Sequence, residues 1–79
     1  MNQANANTQA SRQATRDLRK RLGISQARLC YALGIPQSRY SLWESEHADL
    51  SAAQLSAVNA YLAQELEELK SFQPMAVVQ

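Results

Sequence analysis

The chain has 79 residues, which indicates a single small domain. Its one cysteine and one histidine allow neither an internal disulfide nor a four-ligand metal site, and we expect no cofactor. No apolar run is long enough to span a membrane, and the first residues lack a secretion signal, so we expect a cytoplasmic protein. The net charge is only +1, but the charges are unevenly distributed. Residues 1–43 carry seven basic residues and one acid (+6), whereas residues 44–79 carry one basic residue and six acids (−5). This asymmetry favours a nucleic-acid-binding surface over an ordinary solvated basic helix.

The first helix is predicted to follow an unstructured start. Residues 1–10 are rich in Asn, Gln and Ala without apolar periodicity, so we expect them to be disordered. The first helix should then span residues 11–22, with Leu18 facing the core. This orientation would leave Arg12 and Arg16 free to meet phosphate or solvent.

Two short helices joined by a tight corner are predicted within residues 25–44. Ser25 is a favourable N-cap, because its hydroxyl can accept a hydrogen bond from an amide in the first turn. Gly34 falls just past the apolar run of the first helix, where the chain needs a residue that tolerates positive φ. Pro36 cannot continue that helix. Two helices joined by a short turn that contains Gly are typical of the helix-turn-helix motif.

The second helix of this pair has polar residues opposite its buried face, which Tyr40 and Trp43 mark. Gln, Ser and Arg side chains hydrogen-bond to base edges or phosphates. Because the cap, the corner and the helix lengths agree, we interpret the exposed face as a DNA-reading surface rather than an ordinary solvated one. The residues on it are Gln37, Ser38, Arg39, Ser41, Leu42 and Ser45.

Residues 15–44 match a known family pattern without a gap, and the match continues more loosely to residue 61. The residues that carry it are Leu18-Arg19, Gly23-Ile24-Ser25-Gln26, Leu29, Leu33-Gly34-Ile35, Gln37-Ser38, Tyr40-Ser41 and Trp43-Glu44. In these the chain resembles the Cro/CI-type (XRE-like) helix-turn-helix regulators. The resemblance implies an all-α, lambda-repressor-like bundle of four or five helices, whose third helix enters the major groove.

The resemblance also implies roles for individual residues. It gives base contacts to Gln37 and Ser38, a phosphate contact to Gln26 and a position near the backbone to Ser41. Arg19 and Glu44 would form a buried ion pair, and removing one partner would cost about 3–5 kcal/mol. The full set of expected DNA contacts comprises Gln37, Ser38, Leu42 and Arg39 at bases, and Gln26, Arg28, Ser41 and Arg16 at phosphates.

Three features depart from the family pattern. Leu42 occupies a position that is commonly polar or basic, so it would either pack on a thymine methyl group or weaken specificity. Pro36 replaces the usual Ser or Thr cap of the third helix. Residues 45–49 are acidic where relatives often have basic residues beside phosphate.

The last helix is predicted to be unusually long. Ser51 and Gln54 have the spacing of a capping box, and nothing breaks a helix from residue 52 to residue 72. A helix of about 20 residues is roughly 30 Å long, more than a core this small can cover. We therefore expect a homodimer, the alternative being a bent helix that folds back, with residues 73–79 as a short tail. The expected dimer contacts are Tyr61, Leu62, Leu66, Leu69 and Phe72.

These features predict a DNA-binding transcriptional repressor that binds double-stranded DNA at an inverted-repeat operator in the nucleoid and needs no small-molecule effector. Small regulators of the resembled family often belong to phages, plasmids or other mobile elements. The alternative is a protein-interaction module, such as an antitoxin or adaptor, which Leu42 and the acidic last helix would suit. An enzyme is the least favoured class, because His47 and Cys30 belong to no recognisable set of nucleophile, base and orienting group.

Overall fold

A computed structural model describes residues 7–72, which form four α-helices and no strand. The predicted all-α fold is therefore confirmed, with four helices in the described range. Residues 1–6 and the expected tail at residues 73–79 lie outside the described residues. The helices are α1 (Gln9–Arg21), α2 (Gln26–Leu33), α3 (Gln37–Glu44) and α4 (Ala52–Phe72).

Helix α1 begins two residues before the predicted start. Thr8 is its N-cap, and the Thr8 hydroxyl accepts a hydrogen bond from the Ser11 amide at 3.1 Å. Asn7 lies just before the cap and is hydrogen-bonded to Leu50, 43 residues further along the chain. Residues 7–10, which were expected to be disordered, thus belong to the fold because a long-range contact holds them there.

The corner between α2 and α3 has the predicted construction. The Ser25 hydroxyl accepts a hydrogen bond from the Arg28 amide at 3.0 Å, and Gly34 ends α2 with a φ of +69°. No atom lies within 4 Å of the position that a Cβ would take at Gly34, so backbone conformation rather than space requires glycine. Pro36 precedes α3 and provides no side-chain cap, as expected.

The core lies where α1, α2, α3 and the first half of α4 meet. Helix α3 packs against α1 and α2, and within residues 7–72 no Cα atoms of α3 and α4 lie within 8 Å of each other. The rings of Tyr40 and Trp43, both completely buried, lie 5.5 Å apart at the base of α3. The other buried apolar residues are Ile24, Leu29, Cys30, Ile35, Leu50, Leu55, Val58 and Leu62.

Helix α4 extends beyond this core as one unbroken helix of 21 residues. It begins with the predicted capping box: the Ser51 hydroxyl accepts a hydrogen bond from the Gln54 amide at 3.0 Å, and the Gln54 side-chain oxygen accepts one from the Ser51 amide at 2.9 Å. Leu62 is only 2% exposed and is packed in the core of the chain itself, so the prediction that Leu62 contacts a second copy is corrected. Leu66 is half-buried and Leu69 is 54% exposed. None of the described helices is long and apolar enough to cross a membrane.

Candidate nucleic-acid interface

One face of α3 is open to solvent along its whole length. Tyr40 and Trp43 attach the opposite face to the core, so the helix cannot turn without breaking the largest buried contacts of the domain. The exposed residues include every residue of α3 that was expected to contact DNA, namely Gln37, Ser38, Arg39, Ser41 and Leu42.

The order of these side chains around α3 follows from 3.6 residues per turn. Ser38 and Leu42 lie at the middle of the exposed face, one turn apart. Gln37 and Ser41 lie on one flank, on the side of Glu44, and Arg39 lies on the other. Leu42 is 46% exposed and gives this otherwise polar surface an apolar centre.

A buried ion pair holds the end of α3 against α1. Arg19 Nε and Nη2 donate to the two carboxylate oxygens of Glu44 at 2.8 and 3.0 Å, and Arg19 Nη1 donates to the Ile24 carbonyl at 2.7 Å. This is the pair that the family resemblance implies. Its side chains are 8% and 5% exposed, so the bidentate geometry operates in a largely dry environment.

The pKa shifts at this pair follow from its contacts. Burial acts to raise the pKa of the Glu44 carboxyl, but hydrogen bonds from Arg19 and Gln26 outweigh burial and hold that pKa below its ordinary value of 4.5. The hydrogen bond to Glu44 raises the pKa of the Arg19 guanidinium. The Tyr40 hydroxyl is enclosed beside this pair, and burial together with its interaction with the Glu44 carboxylate raises its pKa. The charged state of the pair is therefore the stable one at neutral pH.

A second arginine of α1 also supports α3, although the sequence had suggested that it was free. Arg12 is 8% exposed, and its Nη1 donates to the Trp43 carbonyl and, at 2.9 Å, to the Ala48 carbonyl. Arg12 Nη2 bonds to Asp49 at 3.0 Å, and Arg12 Nε donates to the Asn7 carbonyl at 3.2 Å. The expectation that Arg12 meets phosphate or solvent is thus wrong, because backbone carbonyls in and beyond the end of α3 take up its donors.

Asn7 completes this contact from the start of the described chain. Its side-chain oxygen accepts hydrogen bonds from Trp43 Nε1 at 2.7 Å and from the Leu50 amide at 3.3 Å. Its side-chain nitrogen donates to the Leu50 carbonyl at 3.3 Å. We call Asn7 and Arg12, together with their partners Trp43 and residues 48–50, the loop clamp.

The sequence did contain one signal for part of the loop clamp. Arg12 lies seven residues, or about two helical turns, before Arg19, so the two share a face of α1. Since the resemblance places Arg19 in the core, the same spacing places Arg12 there as well. No local pattern pointed to Asn7, because Trp43 and Leu50, the described residues to which its side chain bonds, are distant in sequence.

The residues expected at phosphates have different surroundings. Ser41 is exposed, and Gln26 is half-buried with its amide nitrogen donating to Glu44 at 3.0 Å. Arg16 is half-buried on α1, where its Nη2 donates to the Gln13 side-chain oxygen at 3.4 Å. Arg28 instead pairs with Glu65 of α4 at 3.0 Å, so the structure directs its charge toward the last helix.

Ion pairing changes the charge distribution that the sequence suggested. Three basic residues of the first half pair with acids of the second half, in Arg12–Asp49, Arg19–Glu44 and Arg28–Glu65. Only the other cations of that half can supply charge to an external partner. Within residues 7–72 the first-half basic residues without an ion pair are Arg16, Lys20, Arg21 and Arg39.

The described residues include no group of three or more potential metal ligands. Cys30 is buried, and burial raises the pKa of its thiol, so the reactive thiolate is disfavoured. His47 is exposed in the loop after α3, where its ring contacts the Ser45 hydroxyl at 3.1 Å.

Comparison with known proteins assigns most of this architecture to one family. A family model described as helix-turn-helix matches residues 16–69, more than half of the chain. No curated protein and no solved structure matches the chain. The matched range contains the Arg19–Glu44 pair and all of α3, and it leaves out Asn7 and Arg12.

Proposed function

Because the chain belongs to the helix-turn-helix family of the Cro/CI type, whose domains are DNA-binding regulators, we propose that it is a transcriptional repressor that binds an inverted-repeat operator as a homodimer. The observation that carries the proposal is the exposed, mostly polar face of α3, fixed to the core by Tyr40 and Trp43. In this proposal α3 lies in the major groove. Occupancy of a promoter by the dimer would repress transcription, without a small-molecule effector, in the cytoplasm where the nucleoid lies.

The proposed base contacts follow the chemistry of the α3 face. Gln37 has the amide group that can pair with an adenine edge, and Ser38 can donate to or accept from several bases. Leu42 would pack on a thymine methyl group, which suits its central and exposed position. Arg39 would approach bases or the adjacent backbone from the other flank.

Fewer phosphate contacts are proposed than the sequence suggested. Ser41 and Arg16 remain exposed or partly exposed and are proposed to meet the backbone. Gln26 donates one hydrogen bond to Glu44, and its remaining amide hydrogen can meet a phosphate. We leave Arg28 out, because reaching DNA would require it to give up Glu65.

The proposed dimer uses the last turns of α4. We define the overhang surface as Leu66 and Leu69 of α4 together with Leu22 at the end of α1, which lines an open hollow with Leu69. Tyr61 is half-buried against the core at the edge of this surface, and the Phe72 side chain lies outside the described residues. A second copy would cover the overhang surface around a two-fold axis. Two α3 helices would then face half-sites one DNA turn, or a multiple of it, apart.

A protein-interaction module is the second candidate function. Tyr31 is 92% exposed on α2, and Leu42 is 46% exposed on α3. Exposed aromatic residues are enriched at protein interfaces, so these side chains would suit a protein partner. In that case the fold would have kept its core while α3 contacts protein instead of DNA.

The proposal is tested by selecting bound duplexes from a random pool and then measuring affinities with the Gln37→Ala variant. We expect an inverted repeat to be enriched, and we expect Gln37→Ala to lose about 1–3 kcal/mol on that operator with little loss on random duplex. Equal losses on both duplexes would contradict the base-reading role of Gln37. No enrichment, with only weak binding that salt removes, would favour the protein-interaction module.

A further inference from the structure

Helices α3 and α4 share the hydrophobic core, but their backbones do not approach each other closely. Among the described residues no Cα atoms of the two helices lie within 8 Å of each other, and residues 45–51 connect them. The loop clamp acts on this connection, because Arg12 bonds to the Trp43 carbonyl on the α3 side and to Ala48 and Asp49 within the connection. Asn7 bonds to Trp43 and Leu50, and so joins the same two ends.

The clamp is built to be stiff. The guanidinium group of Arg12 is planar and has five donors in a fixed geometry. Its four hydrogen bonds, to Asn7, Trp43, Ala48 and Asp49, therefore hold the group in one orientation. Arg12 also lies 5.6 Å from the centre of the Trp43 ring, which adds a cation–π contact. Its positive charge lies at the negative end of the α3 dipole, where it is favourable.

We infer that the loop clamp sets the spacing between the two half-sites that the dimer accepts. This inference rests on the proposed function, in which α3 reads DNA and the end of α4 joins the subunits. In such a dimer α4 lies near the two-fold axis, so the separation of the two α3 helices depends on the angle between α3 and α4 within each subunit. The clamp residues Asn7 and Arg12 are thus positioning residues that lie outside the matched family range.

Operator spacing is a sensitive measure of this angle. One extra base pair moves the second half-site by about 3.4 Å and turns it by about a tenth of a helical turn. A rigid dimer can follow such a change only by distorting the DNA or by losing contacts at one half-site. A dimer with a loosened connection would instead adapt to several spacings.

The experiment measures affinities for the selected operator with its spacer unchanged, or one or two base pairs shorter or longer, and for an isolated half-site. Asn7→Ala removes three side-chain hydrogen bonds, and Asn7→Asp retains the two that the side-chain oxygen accepts. Gln13→Ala is the matched control, because Gln13 is exposed on α1 and bonds only to Asp17 and Arg16 among the described residues. Arg12→Ala is unsuitable, since it removes four hydrogen bonds and an ion pair at once and would lower the stability of the whole fold.

We expect wild type and Gln13→Ala to prefer one spacing by about tenfold or more, and Asn7→Ala to retain about threefold or less, with half-site affinity unchanged. Asn7→Asp should recover part of the preference. The fluorescence of Trp43, the only tryptophan, should change in Asn7→Ala, because its indole N–H loses a partner. An unchanged preference in Asn7→Ala, with affinity lowered equally at every spacing, would overturn the inference alone. Failure of the wild type to bind any inverted repeat would overturn the proposed function as well.

Discussion

At the scale of single residues, two arginines of α1 hold the end of α3. Arg19 neutralises the Glu44 carboxylate, and Arg12 satisfies the Trp43 and Ala48 carbonyls. Without these arginines the Glu44 carboxylate would lose its counter-charge and the two carbonyls would each lose a hydrogen-bond donor, although the Trp43 carbonyl would still accept from the Glu46 amide. The proposed DNA-reading face therefore depends on charged residues that point into the protein, and their substitution should affect folding more than base preference.

We expect Glu44→Gln to lower the free energy of unfolding by about 3–5 kcal/mol at neutral pH, because it leaves the buried Arg19 without a counter-charge. Urea unfolding followed by Trp43 fluorescence would measure this loss. Glu46→Gln is the control, since Glu46 is exposed and makes no ion pair within residues 7–72. A comparable loss of unfolding free energy in both variants would mean that the Arg19–Glu44 pair does not stabilise the fold more than an exposed carboxylate does.

The same pair predicts a pH dependence. Because the folded protein lowers the pKa of Glu44, the stabilisation is complete above the ordinary value of 4.5 and is lost as the pH falls through the lower folded value. Wild type should therefore lose stability below about pH 4.5 more steeply than Glu44→Gln. If the unfolding free energies of the two proteins fell equally steeply with decreasing pH, other carboxylates would account for the acid sensitivity.

At the scale of elements, α4 has two parts with different surroundings. Leu55, Val58 and Leu62 are buried against the other helices of the same subunit. From Leu66 onward the apolar stripe loses this cover, and Leu69 is more than half exposed. A helix that continues past its own core leaves apolar surface that a second subunit can bury.

We expect Leu69→Asp to raise the dissociation constant of the dimer by about tenfold or more, because it places a charge in the proposed overhang surface. Light scattering across a concentration series measures this constant. Ser71→Asp is the matched control, since Ser71 lies in the same turn on the opposite side of α4 and adds the same charge. A wild-type protein that stays monomeric at tens of micromolar would refute the dimer directly.

At the scale of the whole molecule, the two oppositely charged halves of the chain are joined to each other. Three ion pairs connect them, so acids of residues 44–79 neutralise part of the basic charge of residues 1–43, although only the Arg19–Glu44 pair is buried on both sides. The charge left for DNA is smaller than the sequence suggests. Binding to random duplex should depend on the few unpaired cations, and their substitution should change the salt dependence.

We expect Arg16→Gln to weaken binding to operator and random duplex equally, and to reduce the slope of log K against log salt by about 1 per subunit. Arg28→Gln is the control, because Arg28 already pairs with Glu65 and should leave the slope unchanged. Titrations at several salt concentrations would measure both slopes. If the slope fell only in Arg28→Gln, Arg28 rather than Arg16 would be the residue that contacts phosphate, as the sequence suggested for Arg28.

The sequence by itself determined the features that depend on neighbouring residues. The Ser25 cap, the left-handed Gly34 and the capping box of Ser51 and Gln54 all involve groups within a few residues of each other, so their spacing suffices to predict them. The family pattern added the Arg19–Glu44 pair and the proposal that α3 is the reading helix.

Only the tertiary structure decided which distant groups meet. It placed Arg12 and Asn7 against the connection between α3 and α4, turned Arg28 toward Glu65, and enclosed Leu62 in its own subunit. A periodic sequence shows that a side chain lies on one face of a helix, but the partner of that face depends on how the helices pack. For this reason the sequence could propose α3 as the DNA-reading helix, while the contacts that hold α3 in place became visible only in the fold.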